Sequence, residues 1–166
     1  MWAADVMTRD LVTLTPDMTL EVAAERLVQR AISGAPVVDA RGRLLGILSE
    51  SDILRHLKQL AEETLGKRYL TSQVHALDLL AFLGEREHVA VEEVYRRLRA
   101  SKVSEVMTKH VVAMKPTDTL ESVAAAMIEH DVNRLPVVDA GRVVGIITRA
   151  DLARVLATGR ADIPRL

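Results

Sequence analysis

The sequence predicts an α/β fold of the α+β type, in which two pseudo-twofold-related β-α-β-β-α repeats pack through their sheets. Three observations predict this fold. Residues 6–57 align with residues 106–156, and 21 of the 51 aligned pairs are identical. Each copy alternates short β-rich runs with amphipathic helical stretches. A single copy of about 50 residues is marginally stable at best, so we expect two copies to share one core.

Each copy opens with a short β-rich run closed by a proline, at Leu11–Leu14 and Val111–Met114. A helix then begins after Thr19 or Thr119, because a threonine hydroxyl is a typical N-cap. Apolar residues recur at helical spacing and predict one buried face, which comprises Leu20, Ala23, Ala24, Leu27 and Val28 in the first copy and Leu120, Val123, Ala124, Met127 and Ile128 in the second.

Two further strands and a final helix complete each copy. The second strand is "APVVDA" or "LPVVDA", and it ends at a turn that contains Gly42 or Gly141. The third strand, "RLLGILS" or "RVVGIIT", is an unbroken apolar run typical of a strand buried on both faces. The final helices are predicted to begin at "ESDILRHL" and "RADLARVL".

The stretch between the copies has no partner in the duplication and is predicted to be a helical insertion. "SQVHALDLLAFLGE" has helical spacing with a C-cap at Gly84, and "VEEVYRRLRASK" has an apolar stripe at Val91, Val94, Tyr95 and Leu98. The predicted division of the chain is therefore repeat 1 at 1–57, the insertion at 58–105, and repeat 2 with a C-terminal tail at 106–166.

Composition excludes several classes of function. The formal charge is −1, from 22 basic and 23 acidic residues, so no global electrostatic attraction to nucleic acid or an anionic membrane is expected. The chain has no cysteine, no signal-peptide pattern and no apolar run of membrane-spanning length. We therefore expect a cytoplasmic protein without a membrane association.

No arrangement of residues typical of catalysis is found, so we do not expect an enzyme. The five histidines, at positions 56, 75, 88, 110 and 130, have neither i, i+4 pairing nor an HExxH pattern, so no metal site is predicted. A glycine-rich phosphate loop and a hydrolytic triad are also missing from the sequence pattern. No required cofactor is expected.

One motif occurs twice, as "GILSESD" at residues 46–52 and "GIITRAD" at residues 145–151. A hydroxyl residue three positions before an aspartate is an acidic variant of the capping box, in which each residue bonds the other's backbone. The same geometry also suits a ligand. A helix N-terminus attracts phosphate, and an aspartate in the first turn can accept hydrogen bonds from both hydroxyls of a ribose. The motif alone leaves the capping and the ligand-binding interpretations open.

The ordered set "VMT", "PVVD" and "GI-x-[ST]-x-x-D", found twice, resembles a tandem pair of CBS domains, the Bateman module. The resemblance covers both copies and leaves residues 58–105 uncovered. It implies a regulatory module that binds an adenosine-containing ligand, such as AMP, ADP, ATP or S-adenosylmethionine, in clefts between the repeats. It also implies a homodimer and a regulated partner protein, whose identity the sequence does not give.

The resemblance further implies two clefts, each with a loop that cradles the adenine and a hydroxyl-x-x-Asp motif from the other repeat. One cleft would combine Ile32, Ser33 and Gly34 with Arg134, Thr148 and Asp151. The other would combine Val132 and Asn133 with Ser49 and Asp52. The guanidinium of an arginine can donate two parallel hydrogen bonds to phosphate oxygens. The cleft that contains Arg134 and Asp151 is therefore expected to bind a phosphorylated adenosine more tightly than the other cleft. An ordinary surface ion pair of Arg134 with Asp131 or Glu129 is the competing interpretation.

Two other functions remain open at this point. One is a ligand-free scaffold or dimerisation module, in which both aspartates only cap helices. The other is a DNA-associated regulator that uses the basic helix with Arg96, Arg97, Arg99 and Lys102. A solvated helix surface is the simpler interpretation of that basic cluster, so nucleic acid is not an expected partner.

Overall fold

The computed structural model describes residues 1–65 and 88–159, and it confirms the α+β class. The elements in chain order are α1 (Ala3–Val6), α2 (Leu20–Gln29), β1 (Gly34–Val38), β2 (Leu44–Ser49), α3 (Glu50–Leu65), α4 (His88–Ala100), α5 (Val103–Val106), α6 (Leu120–Glu129), β3 (Arg134–Asp139), β4 (Arg142–Thr148) and α7 (Arg149–Thr158). β1 pairs with β2 and β3 pairs with β4, which gives two separate two-stranded sheets. None of the described helices is long and apolar enough to cross a membrane.

The second and third strands of each repeat and the helices that follow them are confirmed. The helix expected within "VEEVYRRLRASK" is also present, as α4. The helix expected within "SQVHALDLLAFLGE", with its C-cap at Gly84, lies outside the described residues. Thr19 and Thr119 are N-caps as predicted, because their Oγ1 atoms accept from the backbone N–H of Val22 (3.4 Å) and Ser122 (3.2 Å).

The chain divides into two compact units that do not follow the order of the sequence. The first-repeat unit comprises Leu14–Ala35 and Ile47–Thr108. The second-repeat unit comprises Met1–Thr13, Pro36–Gly46 and Lys109–Leu166. Each unit thus includes the leading segment of the other copy, because residues 1–13 belong to the second-repeat unit and residues 101–108 to the first-repeat unit. The division at 1–57, 58–105 and 106–166 stays a prediction about the evolutionary repeats.

The first-repeat unit has a helical core in which α3 packs on α4. Leu57, Leu60 and Ala61 of α3 bury against Val94 of α4, with Leu98 at the edge. The described helix α4 therefore packs on α3 through Val94 and Leu98 of the apolar stripe that the sequence predicted. Of that stripe, Val94 is buried, whereas Tyr95 is 41% exposed.

The segment after α4, residues 101–108, continues through the same unit by backbone hydrogen bonds. Leu20 N–H donates to the Ser101 carbonyl (2.8 Å), and Val103 N–H donates to the Met18 carbonyl (2.9 Å). At the end of the segment, Ile47 and Thr108 exchange two backbone hydrogen bonds of 2.9 Å. The segment is therefore fixed at both ends.

The second-repeat unit contains the antiparallel pair β3–β4, with a register shift between Val137 and Val138. Its core is formed by buried side chains of the sheet, α1, α6 and the adjoining segments, namely Ala3, Val6, Met7, Met114, Val123, Met127, Leu135, Val137 and Ile147. The N-terminal segment joins this unit in the way that residues 101–108 join the other. Ala3 N–H donates to the Asp118 carbonyl (2.8 Å), and Thr8 and Ile146 exchange backbone hydrogen bonds of 2.9 and 3.1 Å.

The predicted first strands, Leu11–Leu14 and Val111–Met114, are wrong as regular strands. Each contributes a single bridging residue, Leu14 or Met114. Met114 N–H donates to the Pro136 carbonyl (2.9 Å), and its own carbonyl accepts from Val138 N–H (2.8 Å). The pairing stops there because Pro116 has no N–H to donate and the chain turns at Lys115–Asp118.

The predicted buried faces of α2 and α6 are confirmed in part: Ala24, Leu120 and Ala124 are half-buried, and the C-terminal ends of both faces are exposed. Leu20, Ala23 and Leu27 are buried, but Val28 and its counterpart Ile128 are 79% and 81% exposed. Eight residues along a helix rotate a side chain by about 80° from the starting direction. Val28 therefore points away from the face that Leu20 defines, in the last turn of a ten-residue helix.

Candidate ligand-binding site

The loop that precedes each "PVV" strand is fixed by the end of the preceding helix. Ala31, two residues after the end of α2, has a left-handed backbone (φ 50°), and Ile32 N–H donates to the Leu27 carbonyl (3.0 Å). The second copy repeats this geometry, with Asp131 at φ 48° and a hydrogen bond from Val132 N–H to the Met127 carbonyl (3.0 Å). This pattern is that of a Schellman motif, so the loop leaves each helix in a defined direction.

The same loop contacts the N-terminus of the last helix of its own repeat. The Ser33 carbonyl accepts from Glu50 N–H (3.0 Å), the first residue of α3. In the second copy, the Asn133 carbonyl accepts from Arg149 N–H (3.1 Å), the first residue of α7. Each predicted adenine cradle therefore lies beside the hydroxyl-x-x-Asp motif of its own repeat.

Asp52 is buried at the N-terminus of α3, with a relative exposure of 3%. Its Oδ2 accepts from Ser49 N–H (2.8 Å) and from Ser49 Oγ (2.7 Å), and Asp52 N–H donates to Ser49 Oγ at 3.4 Å. Its other oxygen, Oδ1, accepts from Arg55 Nη1 and from Thr108 Oγ1, each at 2.9 Å. The side chain of Arg55 is 69% exposed.

Asp151 has the equivalent arrangement at the N-terminus of α7, with a relative exposure of 2%. Its Oδ2 accepts from the N–H of Thr148 (2.8 Å) and from Thr148 Oγ1 (2.7 Å). Its Oδ1 accepts from Arg154 Nη1 (2.9 Å), whose side chain is 28% exposed. The capping-box interpretation of "GILSESD" and "GIITRAD" is therefore confirmed.

Within each repeat, the predicted site residues fall in the same compact unit. Ile32, Ser33 and Gly34 lie in one unit with Ser49 and Asp52, and Val132, Asn133 and Arg134 lie in the other with Thr148 and Asp151. Arg134 is directly opposite Thr148 in the β3–β4 register. The combination of a cradle from one repeat with an aspartate from the other stays a prediction.

Sequence reasoning did not identify three residues that contact the aspartates, namely Arg55, Arg154 and Thr108. The two arginines have a signal in the sequence, because each follows its aspartate by three residues in both copies, which is one helical turn. Thr108 belongs to the repeated "VMT", but nothing in its spacing from Asp52 predicts their contact.

The competing interpretation of Arg134, an ion pair with Asp131 or Glu129, stays open, and a different cation, Arg149, contacts Asp131. Arg149 Nη2 lies 3.7 Å from Asp131 Oδ1, and both side chains are well exposed. Such a pair contributes about 1 kcal/mol at most. Asp131 therefore does not compete strongly with an anionic ligand for Arg149.

A groove of about 900 Å³ lies elsewhere in the first-repeat unit, between the start of α2 and α4. Its walls are Thr19, Glu21, Val89, Glu92, Glu93, Tyr95, Arg96, Arg99 and Ala100. None of the ten predicted site residues contributes to these walls. In residues 1–65 and 88–159, no group of three or more histidine, aspartate or glutamate side chains could hold a metal ion.

The basic cluster of α4 lies opposite carboxylates of the same unit. Arg96 pairs with Glu93 (2.7 Å), Arg97 with Glu63 (2.8 Å), and Arg99 with Glu21. Lys102 Nζ lies 4.0 Å from Asp17. Because each cation faces a carboxylate, the cluster does not form a uniformly positive face of the kind that binds a phosphate backbone.

His56 joins α3 to the segment that follows α4. Its Nε2 lies 2.8 Å from Ser101 Oγ, and the Ser101 hydroxyl donates to the Arg97 carbonyl (2.8 Å). The single hydroxyl proton is thereby used, so Nε2 is the donor to Ser101. Burial lowers the pKa of His56 below its usual value, and Arg97 acts in the same direction, whereas Glu105 and Glu63 oppose the shift.

The lowered pKa of His56 predicts a loss of stability in mild acid. A histidine with a lower pKa in the folded state binds protons more readily when unfolded, so the free energy of unfolding falls as the pH drops through about 6.5. His56→Gln keeps an N–H donor for Ser101 but does not titrate. Urea denaturation between about pH 8 and about pH 5 should therefore give a flatter profile for the variant. Parallel profiles would contradict this assignment.

Taken together, these features define a tandem-repeat α+β protein in which each repeat presents a capped helix N-terminus beside a backbone loop. The model of the CBS domain matches the chain twice, at residues 3–59 and 103–158. The chain belongs to the CBS domain family, and it contains a tandem pair of these domains.

Individual relatives and solved structures agree with this assignment. The uncharacterised protein MJ1426 of Methanocaldococcus jannaschii is 34% identical over 158 residues, which cover 94% of this chain and 91% of that protein. The CBS domain of a CBS domain-containing membrane protein from Sphaerobacter thermophilus has 34% identity and a TM-score of 0.62, over 91% of this chain and 88% of that one.

A more distant structure shares the fold and was solved with a ligand. CBSX2 in complex with AMP has 24% identity and a TM-score of 0.62, and the match covers 92% of each chain. Some relatives are longer than a domain pair. This chain spans 58% of the CBS domain-containing protein CBSX1 of Arabidopsis thaliana.

Proposed function

We propose that this CBS pair is a regulatory module that binds an adenosine nucleotide beside Asp52 and Asp151. One observation carries the proposal: both repeats hold a cradle loop, a helix N-terminus and a buried aspartate in the same arrangement. The Ser33–Glu50 and Asn133–Arg149 hydrogen bonds, of 3.0 and 3.1 Å, fix the loop against the helix in each case. In the second repeat this hydrogen bond extends the antiparallel pairing of Arg134 with Thr148 by one position, and the strand pairing thus places the loop beside the capped helix.

Each part of this arrangement suits one part of a nucleotide. Backbone groups of the loop would bind the adenine edge, the aspartate would accept hydrogen bonds from the ribose hydroxyls, and the positive end of the helix dipole would favour phosphate. Exposed Arg55 could leave Asp52 for solvent when a sugar arrives. The AMP held by CBSX2 supports adenosine compounds as the ligand class.

The two sites are expected to differ in affinity because of one residue. Arg134 lies at the start of β3, opposite Thr148, and the aligned position in the first copy is Gly34. A guanidinium binds phosphate oxygens in bidentate fashion, which glycine cannot do. The site with Arg134 and Asp151 is therefore the tighter one for a phosphorylated adenosine.

Calorimetric titration of AMP tests both the function and the ranking. Asp151→Asn keeps the volume of the side chain but removes its charge, so we expect the dissociation constant of the tighter site to rise about tenfold or more. Asp52→Asn should affect only a weaker site. Arg134→Gln should weaken the binding of AMP but leave the binding of adenosine unchanged, because adenosine has no phosphate. Equal losses in the two aspartate variants would contradict the ranking.

A ligand-free scaffold is the second candidate, because both carboxylates already have protein partners. Thermal denaturation with a panel of AMP, ATP and S-adenosylmethionine separates the two candidates. A ligand at 100 times its dissociation constant adds about 2.7 kcal/mol to the free energy of unfolding and raises the melting temperature. No shift with any of the compounds would favour the scaffold.

Regulation requires that the ligand shift the protein between conformations that a partner protein binds with different affinity. We infer that the chain acts in the cytoplasm as a homodimer and relays occupancy to a second protein. Native mass spectrometry of the freshly purified protein would report subunit count and retained ligand together. A monomeric mass at micromolar concentration would remove the dimer from this proposal.

A further inference from the structure

The carboxylate of Asp52 has no acceptor capacity left for a ligand. An ionised carboxylate accepts about four hydrogen bonds, two at each oxygen. Oδ2 accepts two from Ser49, through its backbone N–H and its hydroxyl. Oδ1 accepts one from Arg55 and one from Thr108, both at 2.9 Å. For a sugar to donate two adjacent hydroxyls to this carboxylate, two of the four present donors must therefore leave it.

The two donors on Oδ1 are the ones that a diol can replace. The Ser49 donors belong to the cap of α3, and their loss would leave the first turn of the helix without its capping box. Arg55 has a side chain that is 69% exposed, so water can solvate its guanidinium after it leaves. Thr108 is also exposed, but its backbone is paired with Ile47, so its hydroxyl can leave Oδ1 only by a rotation of the side chain.

Thr108 ends a segment that α3 holds at two points. Asp52 and His56 are four residues apart on α3 and therefore lie on one face of the helix. Asp52 accepts from Thr108, and His56 donates to Ser101, at the other end of the segment. Ser101 directly follows α4, whose Val94 packs on α3. A change at Thr108 is thereby connected to α4 within one unit.

We propose that Thr108 gates the first site: an adjacent pair of sugar hydroxyls reaches Asp52 only when the Thr108 hydroxyl gives up Oδ1. This inference rests on the proposed nucleotide function, and it identifies how that site is regulated. A ligand bound at Asp52 loosens the attachment of residues 101–108 to α3. Conversely, a tightly attached segment weakens ligand binding by the same coupling free energy. Thr108 thus sets the affinity of the site and links it to α4.

Thr108→Val tests the gate, because valine has the shape of threonine but no donor. Thr108→Ser is the matched control, since it keeps the hydroxyl. Each change is made in a chain that also carries Asp151→Asn, so that AMP titration reads only the site at Asp52. We expect AMP to bind the valine variant about tenfold more tightly than the serine variant, because no hydrogen bond to a charged group must be broken first.

Hydrogen exchange of the ligand-free proteins gives a second readout that does not need AMP. Amides of residues 103–108 should exchange faster in the valine variant than in the serine variant, and AMP should produce the same increase in the serine variant. AMP binding that Thr108→Val leaves unchanged or weakens overturns the gate alone. Absence of AMP binding in both variants, while the chain with Asp151 intact also fails to bind, overturns the proposed function together with the gate.

Discussion

Replacing Asp52 by alanine is expected to lower the free energy of unfolding by about 3 kcal/mol. The substitution removes a buried carboxylate that accepts four hydrogen bonds and leaves the Thr108 hydroxyl without its charged partner. It also removes half of the capping box of α3, which contributes about 1 kcal/mol. The exposed position of Arg55 limits the loss, because its guanidinium becomes hydrated.

Urea denaturation measures this loss, and two further variants show its origin. Asp17→Ala is the control, because the Asp17 side chain is 88% exposed and lies 4.0 Å from Lys102, so a change within about 0.5 kcal/mol is expected. Asp52→Asn keeps one acceptor oxygen and should lie between the two. A cost for Asp52→Ala no larger than that of the control would show that the buried network does not stabilise the fold.

Replacing Gly145 by valine is expected to lower the free energy of unfolding by about 2–3 kcal/mol. Gly145 lies in β4 opposite Val137, and the side chain of Met7 packs directly over it. A Cβ at this position would lie 2.8 Å from Met7 Cγ and closer still to Met7 Sδ. Because Met7 is only 8% exposed, its side chain has little room to move away from the added valine.

A double-mutant cycle with Met7→Ala checks the cause of this loss. Met7→Ala alone leaves a cavity and should cost about 2 kcal/mol or more. In the double variant the valine occupies part of that cavity. The free energy of unfolding lost by the double variant should therefore be clearly smaller than the sum of the losses of the two single variants. Strict additivity would mean that the contact between Met7 and Gly145 is not the source of the effect.

Local features of the fold were predictable because their causes lie close together in the sequence. A threonine before an amphipathic run caps α2 and α6, and a hydroxyl-x-x-Asp motif caps α3 and α7, since the interacting atoms are three residues apart. The duplication then predicted each element twice, which distinguished real elements from chance patterns. Periodicity was less reliable at Val28, where it cannot show which neighbours cover the end of a helix.

The composition of the candidate site was only partly predictable, because its missing members depend on tertiary structure. Arg55 and Arg154 could have been found from their i, i+3 spacing to the aspartates. Thr108 could not, because it reaches Asp52 through the return of residues 101–108 along α3. The exchange of leading segments between the units follows from long-range packing, which no local pattern encodes.

The placement of the N-terminal segment has a consequence for how the nascent chain acquires its structure. Residues 1–13 are synthesised before their partners, because Ala3 pairs with Asp118 and Thr8 with Ile146, each more than 100 residues later in the chain. Contacts of such large sequence separation form slowly, because a long loop must close before they gain any free energy. Until residues 109–148 have been synthesised, the apolar side chains of Val6 and Met7 therefore lack the neighbours that bury them in the folded protein.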